Sequence, residues 1–263
     1  MDFKTTDACT GCGACVKDCP MVVLELKGGR PQVRAGREEM CIGCQHCVAV
    51  CPTGAAVLNG VGAADCTPAG EGANPVDRLL KSRRSIRQFA QEDLPRAEID
   101  ALLESLKCIP TGCNIRHLTY KVVSGRAQME ACKNKVVELL KAKHEGLPDF
   151  LKGTLISVLK HPETDPFFRS APHLLIVVGD PKAVTPQYDC VAACAYFDLL
   201  GQASGVGTCW CGFLKIILDA VPEAADIFGI PRDAPCYAMM FGRSAVTYAR
   251  GVNRAKDTKI EYI

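Results

Sequence analysis

The chain has 263 residues, 48% of them hydrophobic and 23% charged, with a formal net charge of +2. That composition is ordinary for a soluble globular protein with room for one large or two smaller domains, and it excludes the strong basic bias of a nucleic-acid or anionic-membrane binder. The longest apolar run, residues 190–197, falls far short of the ~18 residues of a membrane span, and the opening MDFKTTDACTG lacks a secretory pattern. The expectation is a cytoplasmic protein with no membrane or nucleic-acid partner.

The first feature along the chain is a repeat. CTGCGACVKDCP begins at Cys9 and CIGCQHCVAVCP at Cys41, and each cysteine of the second run lies 32 residues after its counterpart, as does the proline. The runs account for eight of 17 cysteines. Disulfide-dense chains are usually small and secreted, so ligation is the better reading. Short β-like stretches follow each run at residues 22–26 and 55–58. Residues 59–75 are rich in Gly and Ala without periodicity, a linker composition. From residue 76 the pattern becomes amphipathic. Residues 95–107, 126–143 and 188–204 read as helices, and residues 119–125, 173–180 and 236–242 as strands. The helix at 188–204 is apolar on nearly all sides, as in a core or a subunit interface. The expected division is 1–58, a linker over 59–75, and an α+β domain over 76–263, ending in an extended polar arm.

The spacing C-x2-C-x2-C-x3-C-P, found twice, resembles the two-cluster bacterial ferredoxin family over residues 1–58. In that run three close thiolates wrap one [4Fe–4S] cluster and the fourth ligates the other. The resemblance implies one cluster on Cys9, Cys12, Cys15 and Cys51, and a second on Cys19, Cys41, Cys44 and Cys47. The alternative, a pair of structural zinc sites, would use two C-x2-4-C knuckles rather than three close cysteines followed by C-P. Residues 1–60 carry six basic and six acidic residues. Free ferredoxins tend to be acidic, so a neutral module fits docking on its own chain better than steering toward a basic partner.

The stretch KSRRSIRQF places four cations and two serines within residues 81–87. Arginine forks and serine hydroxyls suit a phosphate, although a solvated charge run has the same composition. Followed by PTGCN, APHLLIVVGD, GVGTCWCGF and GVNRAK in that order, it resembles the FMN-dependent nitroreductase family across nearly all of residues 76–263. The resemblance implies a ferredoxin-like domain followed by a nitroreductase-like α+β domain holding FMN in a homodimer. Arg83, Arg84, Ser85, Arg87, Thr111, Asn114, Cys211, Gly212 and Arg254 are the implied cofactor-binding residues. Among them, Arg83, Ser85 and Arg254 would hold the phosphate and nearby ribityl oxygens. Arg87 would lie at the pyrimidine edge, Asn114 on the flavin or its ribityl chain, and the backbone at Cys211-Gly212 by N5. Family members commonly follow the Asn with Gln-Pro-Trp, where this chain has Ile115-Arg116-His117, and several carry an acid in place of Cys211.

No catalytic side chain is singled out, since flavin N5 would carry the chemistry. Cys113 and His117 are pocket candidates. The remaining cysteines read first as small buried residues, with a third metal site involving Cys190, Cys194, Cys209 and Cys211 as the alternative. No G-x-G-x-x-G separates a strand from a helix, so no Rossmann domain is expected, and NAD(P)H would act only as a transient donor over the flavin. The implied function is electron passage between the clusters and FMN to reduce a small organic acceptor, a nitroaromatic, quinone or enone. The alternatives are an NAD(P)H oxidase that sends electrons out through the clusters to an external electron-transfer protein, and a non-catalytic electron-transfer or redox-sensing module.

Overall fold

A computed structural model describes residues 1–68, 72–253 and 259–263. Its residue contacts divide into two compact units, Met1–Arg84 with Val246–Ile263, and Ser85–Ala245. Residues 59–68, of linker composition, belong by contact to the first unit. They carry a 3-10 turn at Ala63–Asp65 and the buried Cys66.

In the first unit, β1 (Phe3–Thr5) pairs antiparallel with β4 (Ala56–Leu58), with Phe3 opposite Leu58. Strands β2 (Leu24–Lys27) and β3 (Arg30–Val33) form a hairpin. The sequence repeat reappears in the backbone. Gly11 and Gly43 have φ of +69° and +62°, Gly13 and Gln45 +73° and +59°, and Val22 and Gly54 +52° and +71°. Helices α1 (Ala14–Lys17) and α2 (His46–Val50) start at matching positions. Gly11 is required twice over: its backbone is left-handed, and a Cβ there would lie 2.2 Å from the carbonyl oxygen of Gly29. Val23, Leu24, Val48, Val50 and Leu58 form the small core with Cys15 and Cys47. Helix α3 (Pro75–Ser82) begins on Asn74, whose side chain accepts from the amides of Val76 and Asp77, with Pro75 at the first helical position.

The second unit is built on a four-stranded antiparallel sheet. Its order is β5 (Leu118–Ser124), β6 (His173–Gly179), β8 (Cys236–Arg243) and β7 (Val206–Trp210). Strand β6 is buried along its whole length, which explains its unbroken apolar sequence. Helices α4 (Arg96–Ser105) and α7 (Pro186–Ala203) pack Ile99, Leu102, Ala193 and Phe197 into the core beneath Leu175, Val177, Met239 and Phe241. Helices α5 (Arg126–Ala142), α6 (Asp149–Lys160), α8 (Gly212–Ala220) and α9 (Ala224–Ile227) complete the unit. The helices and strands read from periodicity end within a few residues of those expected, whereas α6, α8, α9 and β7 had not been read. Among the described residues no helix is long and apolar enough to cross a membrane.

Candidate cofactor sites

Cys9, Cys12 and Cys15 from the first run and Cys51 from the second line one small cavity. The chain reaches this convergence because β1 and β4 bring the end of the second run back beside the first. The thiols affect one another electrostatically. Burial, then Cys51 and Cys12, push the Cys15 thiol up to about 11. Burial also raises Cys47, which lies near Cys44, Cys15 and Cys19. Crowded thiolates of this kind are stable only beside compensating positive charge, which a cluster's iron supplies. At Cys51 burial acts upward, but hydrogen bonding from Ala56, Thr53 and Ala55 outweighs it and leaves the thiol below its ordinary value. Such N–H groups aimed at sulfur are the usual surroundings of a cluster ligand. The donor set therefore fits iron–sulfur clusters.

In the second unit, residues 85–89 run extended beside β7. The Ile86 amide donates to the Thr208 carbonyl at 2.8 Å, and the Ile86 side chain lies so close to Gly207 that a Cβ there would approach it to 2.9 Å. Arg84 and Ile86 are buried, so the alternation of extended backbone puts Ser85 and Arg87 together on the opposite face, half-buried. Arg169 adds a second guanidinium. Burial, then the charge of Arg87, lower its pKa, and the thiols of Cys209 and Cys211 lie nearby. Arg169 and Ser170 both have positive φ, and the Asp165 carboxylate holds the turn by accepting from the amides of Phe168 and Ser170 at 2.9 and 3.0 Å.

Strand β7 ends at Trp210, and Cys211 precedes α8. The Cys211 amide donates to the Ala238 carbonyl at 2.9 Å. Gly212 is the first residue of α8, and its amide is among those a helix leaves unbonded. Two guanidiniums and a helix N-terminus make this region favourable for an anionic ring edge or phosphate, so the residues present fit a flavin nucleotide.

The loop at residues 111–116 is held by α7. Asp189 Oδ1 accepts from the Gly112 amide and from Thr185 Oγ1, each at 3.0 Å. A Cβ at Gly112 would lie 2.0 Å from Thr185 Oγ1, so only glycine allows this approach. Cys113, Asn114 and Arg116 all have positive φ. Such unfavourable backbone, held by part-buried hydrogen bonds, is typical of functional loops.

Residues 80–243 match the family model described as nitroreductase family, and residues 8–56 match the 4Fe-4S dicluster domain. The first match covers more than half of the chain. The chain belongs to the nitroreductase family. Solved structures agree on the fold. A nitroreductase with bound FMN from Bacteroides fragilis NCTC 9343 is 23% identical, covering 72% of this chain and 100% of that one at a TM-score of 0.57. A nitroreductase with bound FMN from Desulfitobacterium hafniense DCB-2 is 20% identical, with coverage of 72% and 100% and a TM-score of 0.56. An FMN-dependent nitroreductase from Clostridium difficile R20291 is 16% identical, with coverage of 73% and 100% and a TM-score of 0.54. No curated protein matches the chain.

Within this nitroreductase-family chain the residues singled out in the sequence fall into distinct groups. Ser85 and Arg87 share a face, and the Gly212 amide opens α8. Arg83 caps α3 at the end of the first unit, its amide donating to the Leu79 carbonyl at 2.8 Å. Arg84 does not share the half-exposed setting of Arg83. It is 8% exposed, with Nη2 donating to the Lys81 carbonyl at 3.0 Å. Thr111 Oγ1 accepts from the Arg116 amide, and Asn114 Oδ1 from Arg116 Nη1. Cys113 is exposed, and His117, also exposed, pairs with Asp180 at 3.2 Å. Arg254 lies outside the described residues. Cys190 and Cys194 are buried near Cys236 rather than beside Cys209 and Cys211. Arg169 was missed by sequence reasoning: a lone Arg before a buried strand has no local signature.

Proposed function

We propose that this protein is an iron–sulfur flavoprotein oxidoreductase in which two [4Fe–4S] clusters deliver electrons to FMN for reduction of a small organic acceptor of the nitroaromatic, quinone or enone class. The observation that carries the reading is the single cavity shared by Cys9, Cys12, Cys15 and Cys51, a ligand set that only exchange between two cluster runs explains. When bound, the clusters supply one-electron transfer and FMN joins one-electron to two-electron chemistry.

The chain's own residues bind and orient. Cys9, Cys12, Cys15 and Cys51 hold one cluster, and Cys19, Cys41, Cys44 and Cys47 the other. Arg83, Ser85 and Arg254 take the FMN phosphate end, and Arg87, with Arg169, stabilises negative charge at the pyrimidine edge. Asn114 and the Gly212 amide complete the flavin contacts. Burial pushes the Cys211 thiol up to about 12, so it stays protonated and packs rather than acting as a nucleophile. Tyr188, Val191 and Tyr196 lie exposed on α7 and offer an apolar surface to a second copy, in keeping with a homodimer.

The test is anaerobic turnover of a nitroaromatic and a quinone with reduced ferredoxin, NADH or NADPH as donor. The proposal expects turnover with reduced ferredoxin that is lost in Cys51→Ser. Turnover by a nicotinamide that survives Cys51→Ser unchanged would overturn the electron route. Absence of turnover from any donor, with all cofactors loaded, would leave a non-catalytic electron-transfer module.

A further inference from the structure

Residues 246–253 lie beyond both family matches, yet they are fastened to both cysteine runs, chiefly the second. Tyr248 Oη donates to Asp18 Oδ2 at 3.0 Å and meets His46 Nδ1 at 3.1 Å. The Ala249 amide donates to the Ala49 carbonyl at 3.1 Å. Gln45 and Asn253 exchange two hydrogen bonds, at 2.9 and 3.0 Å. Between these, Arg250 Nη1 donates to the carbonyls of Val48 at 2.8 Å and of Cys51 at 2.6 Å. Its Nη2 lies against the turn after the run, 3.6 Å from where a Cβ would stand on Gly54.

The plain role of Arg250 is to cap carbonyls that the short helix α2 leaves unbonded. A neutral side chain could do that. The guanidinium instead places a permanent positive charge on the peptide of Cys51, a ligand assigned to the first cluster, and on that of Val48, which follows Cys47 of the second. Each electron added to a cluster adds one negative charge and no bond is broken. A cation fixed at this distance therefore favours the reduced form.

We propose that Arg250 is a positioning residue that sets the reduction potentials of the iron–sulfur centres, raising both through its fixed charge. This rests on the two-cluster reading above.

The experiment is an EPR-monitored redox titration of the anaerobically loaded full chain, alongside iron and sulfide analysis, for wild type, Arg250→Gln and Arg250→Lys. The expected result is full iron in Arg250→Gln, with the ratio of reduced to oxidised cluster about tenfold lower at a given applied potential, equivalent to about 59 mV for a one-electron couple. Arg250→Lys should stay near wild type. A fully loaded Arg250→Gln at wild-type potentials overturns the proposal, as does Arg250→Lys falling as far as Arg250→Gln. Should Arg250→Gln fail to load, Arg250→Lys decides: wild-type potentials support charge as the cause, and lowered potentials refute it. Wild type without iron and sulfide would instead refute the two-cluster reading itself.

Discussion

Gly112 shows how much one side chain can matter to the loop at residues 111–116. A Cβ there would collide with Thr185 Oγ1 and push the loop off Asp189. Gly112→Ala is expected to cost roughly 1–3 kcal/mol of stability, read as a lower thermal midpoint, and to weaken FMN retention. Arg83→Ala should weaken FMN binding by about tenfold or more while iron content stays full, since a charge-assisted hydrogen bond contributes about 1.5–3 kcal/mol. A variant that keeps its full complement of FMN would contradict the phosphate assignment. His173 supplies a pH prediction. Its Nε2 and Nδ1 face the amides of Leu94 and Gly125 at 2.8 and 3.1 Å; a neutral ring keeps one nitrogen free to accept, and a second ring proton would remove that last acceptor. Burial lowers its pKa in the fold. The unfolded chain then takes up a proton that the native ring refuses, and stability falls as pH drops below about 6.5. The thermal midpoint of wild type should fall between pH 7.5 and 5.5 more steeply than that of His173→Gln. Equal slopes would refute a native neutral ring.

At the scale of elements, legibility followed the range of the interactions. The cysteine runs were legible because cluster ligation fixes local spacing, and that spacing imposes the paired left-handed residues at Gly11 and Gly43. Helices α4, α5 and α7 were legible because their apolar faces recur locally. The C-terminal segment read as an extended polar arm because its contacts are remote in sequence: Arg250 reaches 199 residues back to Cys51, and Tyr248 230 residues back to Asp18. The face of Arg84 was missed because the charge cluster was read by composition rather than by the two-residue alternation that extended backbone imposes. Tyr248→Phe removes a hydroxyl that serves both Asp18 and His46, each at most 5% exposed. Leaving such groups short of a partner should cost about 1–3 kcal/mol, measured as a lower midpoint of cluster loss on heating.

For the whole molecule, the nitroreductase family and the dicluster domain were legible as an ordered series of motifs, whereas the acceptor was not. A substrate pocket is shaped by exposed loop residues whose identity follows no spacing rule, and Cys113 and His117 were read only as candidates for it. The central claim is that electrons enter FMN through the cysteine-bound clusters. The most direct measurement is anaerobic stopped-flow reduction of the flavin band by reduced ferredoxin, in wild type and in Cys47→Ser, with FMN content matched. The account predicts fast flavin reduction in wild type and a loss of at least tenfold in rate in Cys47→Ser. Equal rates in the two proteins would contradict it.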